Sequence, residues 1–452
     1  DFGKSNYFDK ARKQPEKVKM VLDKVKTDGL LPTIDSVRSK MAEPLAMGYS
    51  NVGVVIEVGA GVQDLSVGDR VVSNGRHAEI VCVPQNLVAR IPDDVSDEDA
   101  VFTVVGAISL QGVRLTEPTI GESIVVMGLG LIGLLTVQIL KANGCRVLGL
   151  DFDAEKVALA KKYGAEGLVL GGGADPIATA AQFSRGRGVD AVIITASTDS
   201  NEPVHNAATM CRKLGRIVLV GVVGLELQRG DFYEKEISFR VSCSYGPGRY
   251  DPFYEDQGND YPVGYVRWTE HRNFEAALDL LEAGKLATAD LRSMEFYLEE
   301  AAAAYEALLT DKSALGIQLR YSFDKTSEAE TVELPESPTS GRPQEKVVIG
   351  AVGAGNYAGR MLLPAFERSG ASLKTISSSQ GLTGSHYGKK FKFELSTTDT
   401  NSIFNDPQIN TLVVATQHDS HANFVVKALN GDKNVFVEKP LALNREQLSS
   451  VE

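Results

Sequence analysis

Cysteine is scarce in this sequence: there are four in 452 residues, Cys82, Cys145, Cys211 and Cys243, and no two stand in CxxC spacing. That excludes a disulfide framework and fits a reducing compartment, in which such residues serve as small buried hydrophobes. Positive charge is also in deficit, with 47 Lys and Arg against 59 Asp and Glu and a formal net charge of -12. A phosphate backbone is repelled by that balance, and no basic run with interleaved aromatics offsets it, so nucleic acid is not an expected partner. No segment reaches the ~18 uninterrupted apolar residues of a membrane span, and the first residues carry no signal-peptide pattern. A soluble cytoplasmic protein is the expectation.

At 43% hydrophobic and 23% charged, the chain has the composition of an ordinary globular protein, and its 43 glycines point to many tight turns. Its length exceeds what one core usually supports, so two or three folding units are expected. Residues 10–40 read as a basic helix with Val18, Val21, Leu22 and Val25 on one face. From Gly53 to Ala89 short β-branched runs, VGVVIEVG, DRVVS and AEIVCV, alternate with turns as a small β-barrel requires. Between Gly121 and about Gly224 strands and helices alternate: SIVVMGLG, then LIGLLTVQILKANG, RVLGLD, a helix over 154–163, DAVIITAS and GRIVLVG. Such continuous apolar runs argue for a parallel sheet covered on both faces. A helix over 299–309 and the strand LGIQLRY close this first part. Residues 323–344, acidic and rich in Ser, Thr and Pro, read as an exposed linker. The alternation then restarts with KVVIGAVGAGNYAGRMLLPAF, SLKTISSS, INTLVVAT, a helix through FVVKALN, and NVFVEKPL.

The first glycine turn holds Gly128, Gly130 and Gly133 in G-x-G-x-x-G order, after a strand and at the start of a helix that opens with Leu131 and Ile132. Glycine is needed there for the turn, for close approach of a pyrophosphate and for helix-strand packing, while the helix N-terminus offers amide donors. The next strand ends at Asp151, about 20 residues on, where a carboxylate accepts from ribose hydroxyls. A carboxylate ~4 Å from a 2'-phosphate costs roughly 4 kcal/mol per unit charge at an effective dielectric near 20, so NAD is preferred over NADP. A second reading, open beside it, has Asp151 cap the helix that begins near Ala154.

GYSNVGVVIEVGAGVQDLSVGDRVV, the glycine turn and GRIVLVGVVG with its Gly221 together resemble the medium-chain dehydrogenase superfamily over roughly residues 40–322. The fold class implied is α/β, with two Rossmann-type doubly wound parallel sheets, the first carrying a partial GroES-like β-barrel domain. On that resemblance residues 1–114 hold the N-terminal helix and the barrel domain, 115–288 the first cofactor domain, and 289–322 a return to the barrel. Zinc-dependent members carry a histidine-glutamate pair where this chain has Gly48-Tyr49-Ser50, and a multi-cysteine lobe where it runs from Asn74 through His77 back into strand. His77 and Cys82 are too few for a metal, so no zinc is expected. Tyr49, in place of the histidine, has two readings: a catalytic phenol or a packed tyrosine.

The segment SYGPGRYDPFYEDQGNDYPVGYVRWTEHRNF carries an inserted loop over 245–270 beyond the Ser-Tyr-Gly that the resemblance places beside the nicotinamide. Tyr245, Arg249, Tyr250, Arg267 and Trp268 are its candidate substrate residues, suited to stacking on a sugar ring and bonding hydroxyls or carboxylates. A rigid structural loop or a subunit contact is the other reading.

The second turn, Gly353-Ala354-Gly355-Asn356-Tyr357-Ala358, repeats the fingerprint with alanine as its last member. With TQHDSHANFVVKAL and FVEKPLAL, residues 345–452 resemble the cofactor domain of the glucose-fructose oxidoreductase and inositol dehydrogenase (Gfo/Idh/MocA) family. Gly353, Gly355, Asn356, Tyr357, Thr416, His421 and Glu438 are then cofactor-binding, and the resemblance sets Lys439, at the end of a strand read as buried, beside nicotinamide and substrate, where a cation stabilises a developing alkoxide; a surface lysine before a turn proline is the other reading. His386 and His418 read as surface or turn histidines. Ser377 to Ser379 stand where an acid selects NAD, so NAD or NADP is open at this site. The family's further α/β domain and the opening barrel strands are not accounted for, and a piece of a longer protein is expected.

The two-part arrangement resembles bidomain oxidoreductases of bacterial surface-polysaccharide metabolism. It implies oxidation or reduction of a hydroxyl or keto group on a sugar, cyclitol or nucleotide-sugar, a small-molecule partner, and a homodimer as a family expectation. Two other classes stay open: a dinucleotide-binding sensor or scaffold with a silent half, and a zinc-free quinone or enone reductase.

Overall fold

The computed structural model describes residues 46–322, 331–334 and 347–452, together with Asp23, Lys26, Thr27, Gly29 and Thr33. The apolar face expected at Val18, Val21, Leu22 and Val25 lies outside the described residues; Asp23, Lys26, Thr27 and Thr33 are helical. Two compact units are present, one over Met47–Asp324 and one containing Lys325–Glu452.

The first unit opens with three short antiparallel strands, β1 (Asn51–Val54), β2 (Arg70–Ser73) and β3 (Val88–Arg90), paired in that order. Val72 and Ala89 of this sheet, with Leu87 just before β3, pack with Ala107 of the helix Thr103–Thr116 and Phe274 of the helix Glu270–Glu282. AEIVCV, expected as a further strand, is irregular chain with Ile80 exposed. Among the described residues no strand lies beside it, and a β-branched run without a ladder partner has nowhere to place its amides.

Six parallel strands follow: β4 (Ser123–Met127), β5 (Arg146–Asp151), β6 (Glu166–Val169), β7 (Val189–Ile194), β8 (Cys211–Leu219) and β9 (Ser238–Val241), in spatial order β6-β5-β4-β7-β8-β9. The apolar run SIVVM of β4 is buried throughout because helices cover both faces. One core contains Leu134, Leu135 and Ala160, the other Ala180, Phe183 and Ala207. Chain order reverses at β4, which has β5 on one side and β7 on the other, so the crevice beyond its carboxyl end is the place where such sheets bind ligands. The parallel pair β10 (Arg292–Tyr297) and β11 (Gly316–Arg320), joined through the helix Ala301–Thr310, completes the unit.

In the second unit the sheet order is β12-β15-β14-β13-β16-β17. Its strands are β12 (Thr331–Glu333), β13 (Val348–Val352), β14 (Ser372–Ser377), β15 (Leu395–Thr397), β16 (Thr411–Val414) and β17 (Asn434–Val437). β12 lies inside the segment expected as a linker and pairs antiparallel with β15. The reason is local: Thr331 and Val332 favour extended chain, and Leu334 is buried against Ile376 and Tyr387 in the core. β17 was expected as a buried strand; it is instead the sheet's edge, paired on one side only, and Phe436 is exposed.

Candidate functional site

At the first switch point Gly128 adopts φ +95, and a Cβ there would lie 2.6 Å from the Ala196 amide nitrogen. Gly133 is equally constrained, since a Cβ would meet the Gly128 carbonyl oxygen at 2.0 Å. Gly130, the N-cap of the helix Leu131–Ala142, has nothing within 4 Å of a built Cβ. The first and third glycines are thus demanded by the protein's own packing. The second has open space around it where the helix begins with the amides of Leu131, Ile132 and Gly133. Across the crevice Gly221 follows β8, and a Cβ on it would strike the Ala196 carbonyl oxygen at 2.1 Å.

Asp151 ends β5, and its carboxylate accepts from the Leu129 amide at 2.6 Å and the Asp153 amide at 2.9 Å. It braces the glycine turn. The following helix is capped by a different residue, Asp153, which accepts from the amides of Glu155 and Lys156, so the reading of Asp151 as that cap is corrected.

The 245–270 loop is pinned on several sides. Gln85 and Asn86, just before β3, donate to the carbonyls of Gly258 and Tyr254, Tyr254 stacks on Tyr261 at 5.1 Å, and Arg272 pairs with Asp260. Tyr245 is a core side chain packed on Phe274 at 5.4 Å, with its hydroxyl accepting from Asn74 at 3.3 Å. It is not presented to a substrate, because the apolar core formed by both helices and β2 takes the ring. Arg249 is likewise engaged, in an ion pair with Glu255. Tyr250, Arg267 and Trp268 keep accessible surface. The loop residue that sequence reasoning passed over is Glu270. It is fully buried with both carboxylate oxygens unpartnered, and burial, then the charge of Glu255, pushes it up to about 8 while Arg249 pulls the other way. Its only signal in sequence was an acid opening a helix.

The second unit repeats the first turn's logic. Gly353 has φ +99, with a built Cβ 2.5 Å from the Ala415 carbonyl oxygen, and Gly355 is open on all sides within 4 Å. The third position carries a methyl group, Ala358, which is buried and begins a π-helical turn over Ala358–Leu362. Asn356 and Tyr357 lie exposed at the turn. His421 is fully buried, its ring nitrogens facing the Pro440 carbonyl at 2.8 Å and the Thr416 carbonyl at 3.1 Å. It ties the turn after β16 to the turn after β17, and Thr416 also bonds Ser420 at 2.7 Å. Glu438 continues β17 through its amide, which donates to the Val414 carbonyl, and Lys439 next to it is exposed.

Three family models match consecutive stretches: "Alcohol dehydrogenase GroES-like domain" at residues 21–93, "Zinc-binding dehydrogenase" at 132–256, and "Oxidoreductase family, NAD-binding Rossmann fold" at 347–451. An alcohol dehydrogenase of Geobacillus stearothermophilus is 32% identical over 213 residues, which are 40% of this chain and 61% of that relative. A probable D-xylulose reductase A of Arthroderma otae is 24% identical over 310 residues, 60% of this chain and 80% of the relative. Among solved structures, 2R,3R-butanediol dehydrogenase of Bacillus subtilis superposes with a TM-score of 0.51 at 24% identity, covering 61% of this chain and 81% of that one. The chain joins a medium-chain dehydrogenase unit to a Gfo/Idh/MocA-type Rossmann domain.

In the first unit the residues that the resemblance sets against zinc ligands are Gly48, Tyr49, Ser50 and His77. Tyr49 is about half exposed, so its packed reading is corrected; the chain around it lies at the surface beside the short sheet. Ser50 donates to the Val101 carbonyl at 2.6 Å. The His77 ring lies against Gly48, where a Cβ would come within 2.7 Å of it, and burial pushes its pKa down. Among the described residues no three His, Cys, Asp or Glu side chains converge as a metal site.

Proposed function

We propose that the protein is a nicotinamide-dependent oxidoreductase that interconverts a hydroxyl and a keto group on a sugar, cyclitol or nucleotide-sugar. NAD serves the first unit, NAD or NADP the second, and zinc takes no part. The observation that carries this reading is the repeated turn: in each unit one glycine is locked by its own fold while the next, Gly130 or Gly355, is open toward a helix N-terminus. The names borne by the relatives, a xylulose reductase and a butanediol dehydrogenase, agree with a polyol-like substrate.

A nicotinamide dinucleotide, when bound, would supply the hydride acceptor or donor. What the chain contributes is placement and charge. The open turns hold the diphosphate, the Asp151 carboxylate, braced by Leu129, takes the adenosine ribose of the first cofactor, and the Lys439 ammonium stabilises the alkoxide and moves a proton. Thr416 and Glu438 flank the second cofactor, and His421 keeps their turns together. Incubation with NAD or NADP and a panel of polyols and sugar nucleotides should yield reduced cofactor and a keto product. Loss of turnover in Lys439→Ala is expected, and unchanged turnover would remove Lys439 from the mechanism.

A second reading is favoured for the first unit by one observation: Tyr245, Arg249 and Ser50, all near its expected substrate side, are committed to internal contacts. On it this unit binds dinucleotide as a sensor while the second performs the chemistry. Tight NAD binding by the first unit with turnover surviving Gly130→Asp would favour it.

A further inference from the structure

The chain has one tryptophan, Trp268, and two guanidinium groups lie on it. The guanidinium carbon of Arg114 is 3.2 Å from the ring centroid and that of Arg267 is 3.8 Å from it. Two such groups over one ring lie on its opposite faces, about 7 Å apart, a separation at which like charges repel appreciably unless water or a counterion at the ring's edge intervenes. The other arginines of the loop are neutralised, Arg249 by Glu255 and Arg272 by Asp260. Arg114 and Arg267 have no ion pair with any described carboxylate. Glu275, whose charge the field of Arg267 reaches, is taken by His271 at 3.3 Å.

Arg114 is half-buried and spends its Nε donor on the Asn273 side-chain oxygen at 2.7 Å, which fixes the plane of the fork. Burial, and then the charge of Arg267, push the Arg114 guanidinium down to about 10. A stacked, oriented guanidinium with its terminal nitrogens unspent is the geometry that takes a phosphate or carboxylate through paired hydrogen bonds, and the indole face partly offsets the repulsion until the anion arrives. Asn273 also places this platform. The same side chain donates to the Tyr245 carbonyl at 2.8 Å, in the turn that the resemblance sets beside the nicotinamide.

We propose that Arg114 and Arg267, stacked on Trp268, form a subsite for an anionic group, phosphate or carboxylate, carried by the substrate of the first unit. The inference rests on the sugar-type oxidoreductase reading and narrows it to acidic or phosphorylated members of that class.

Because Trp268 is the sole tryptophan, intrinsic indole fluorescence of the intact chain reads this platform alone. The protein is titrated at constant ionic strength with glucose 6-phosphate, with glucuronate and with glucose. A saturable change with either anion and none with glucose is expected, and which anion acts separates the phosphate source from the carboxylate source. Arg267→Ala, a change at an exposed side chain, should weaken that response at least tenfold, and Arg267→Lys should keep part of it. No saturable response to either anion, an equal response to glucose, or an unweakened response in Arg267→Ala overturns the subsite. Oxidation of neutral polyols by the wild-type protein without any anion response would sink the subsite and leave the oxidoreductase reading standing. An anion response with no sugar turned over does the reverse.

Discussion

The Leu129 amide donates to the Asp151 carboxylate at 2.6 Å, so the end of β5 holds the glycine turn that follows β4. One acid therefore braces the cofactor loop and, on the proposed function, meets the ribose. Asp151→Ser should weaken NAD binding tenfold or more and narrow the gap to NADP. It should also cost about 1–2 kcal/mol of stability through the lost charge-assisted hydrogen bonds. Calorimetry with both cofactors and a melting curve measure the two effects separately; unchanged NAD affinity would leave only the bracing role.

Gly130 and Gly355 are open, whereas Gly128, Gly133 and Gly353 are hemmed in by backbone. Carboxylates introduced at the open positions, Gly130→Asp and Gly355→Asp, should each remove one dinucleotide site by repelling the diphosphate, with little effect on folding. Gly133→Ala should instead destabilise the first unit, because its methyl group would collide with the Gly128 carbonyl. Binding stoichiometry falling from two to one in each aspartate variant is the expected result.

Glu270 makes stability depend on pH. Burial pushes its folded pKa up to about 8, above the 4.5 of an ordinary glutamate, so between these values the unfolded chain releases a proton that the folded chain keeps. This contribution is fully present below about pH 4.5, declines as pH rises toward 8, and levels off above that. Glu270→Gln removes the decline. The variant should be more stable than the parent by roughly 4 kcal/mol at pH 8 and nearly equal to it at pH 4.5. Denaturant melts at the two pH values check the sign.

Leu334, in the stretch expected as a linker, is buried in the core of the second unit, where a Cβ on Gly388 would come within 2.6 Å of it. Leu334→Ala should cost about 2–4 kcal/mol, the usual range for emptying a core leucine site. A true linker would tolerate the change, so an unaltered melting transition would return the segment to that role.

Much of the architecture was legible because its signals are local. Both glycine turns, the buried β4 and β13 runs and the helices after them follow from residues within one strand-turn-helix unit. β12 was missed because its composition is that of a loop and its partner β15 lies more than sixty residues on. AEIVCV shows the opposite error, a β-branched run that finds no neighbour. The candidate substrate residues divided for a similar reason: aromatic and arginine content marked the loop, but content says nothing of which rings face inward.

By itself, the order of residues determined that two dinucleotide turns exist and where each begins, since a positive φ and an absent Cβ are properties of single positions. Folding decided which charges stay available. Arg114 and Asn273 stand 159 residues apart, as do no neighbours in any local pattern, yet their hydrogen bond orients a guanidinium on Trp268. Arg249, a few positions from Tyr245, is spent on Glu255. Whether a cation meets a carboxylate or an open face depends on distances that only packing sets.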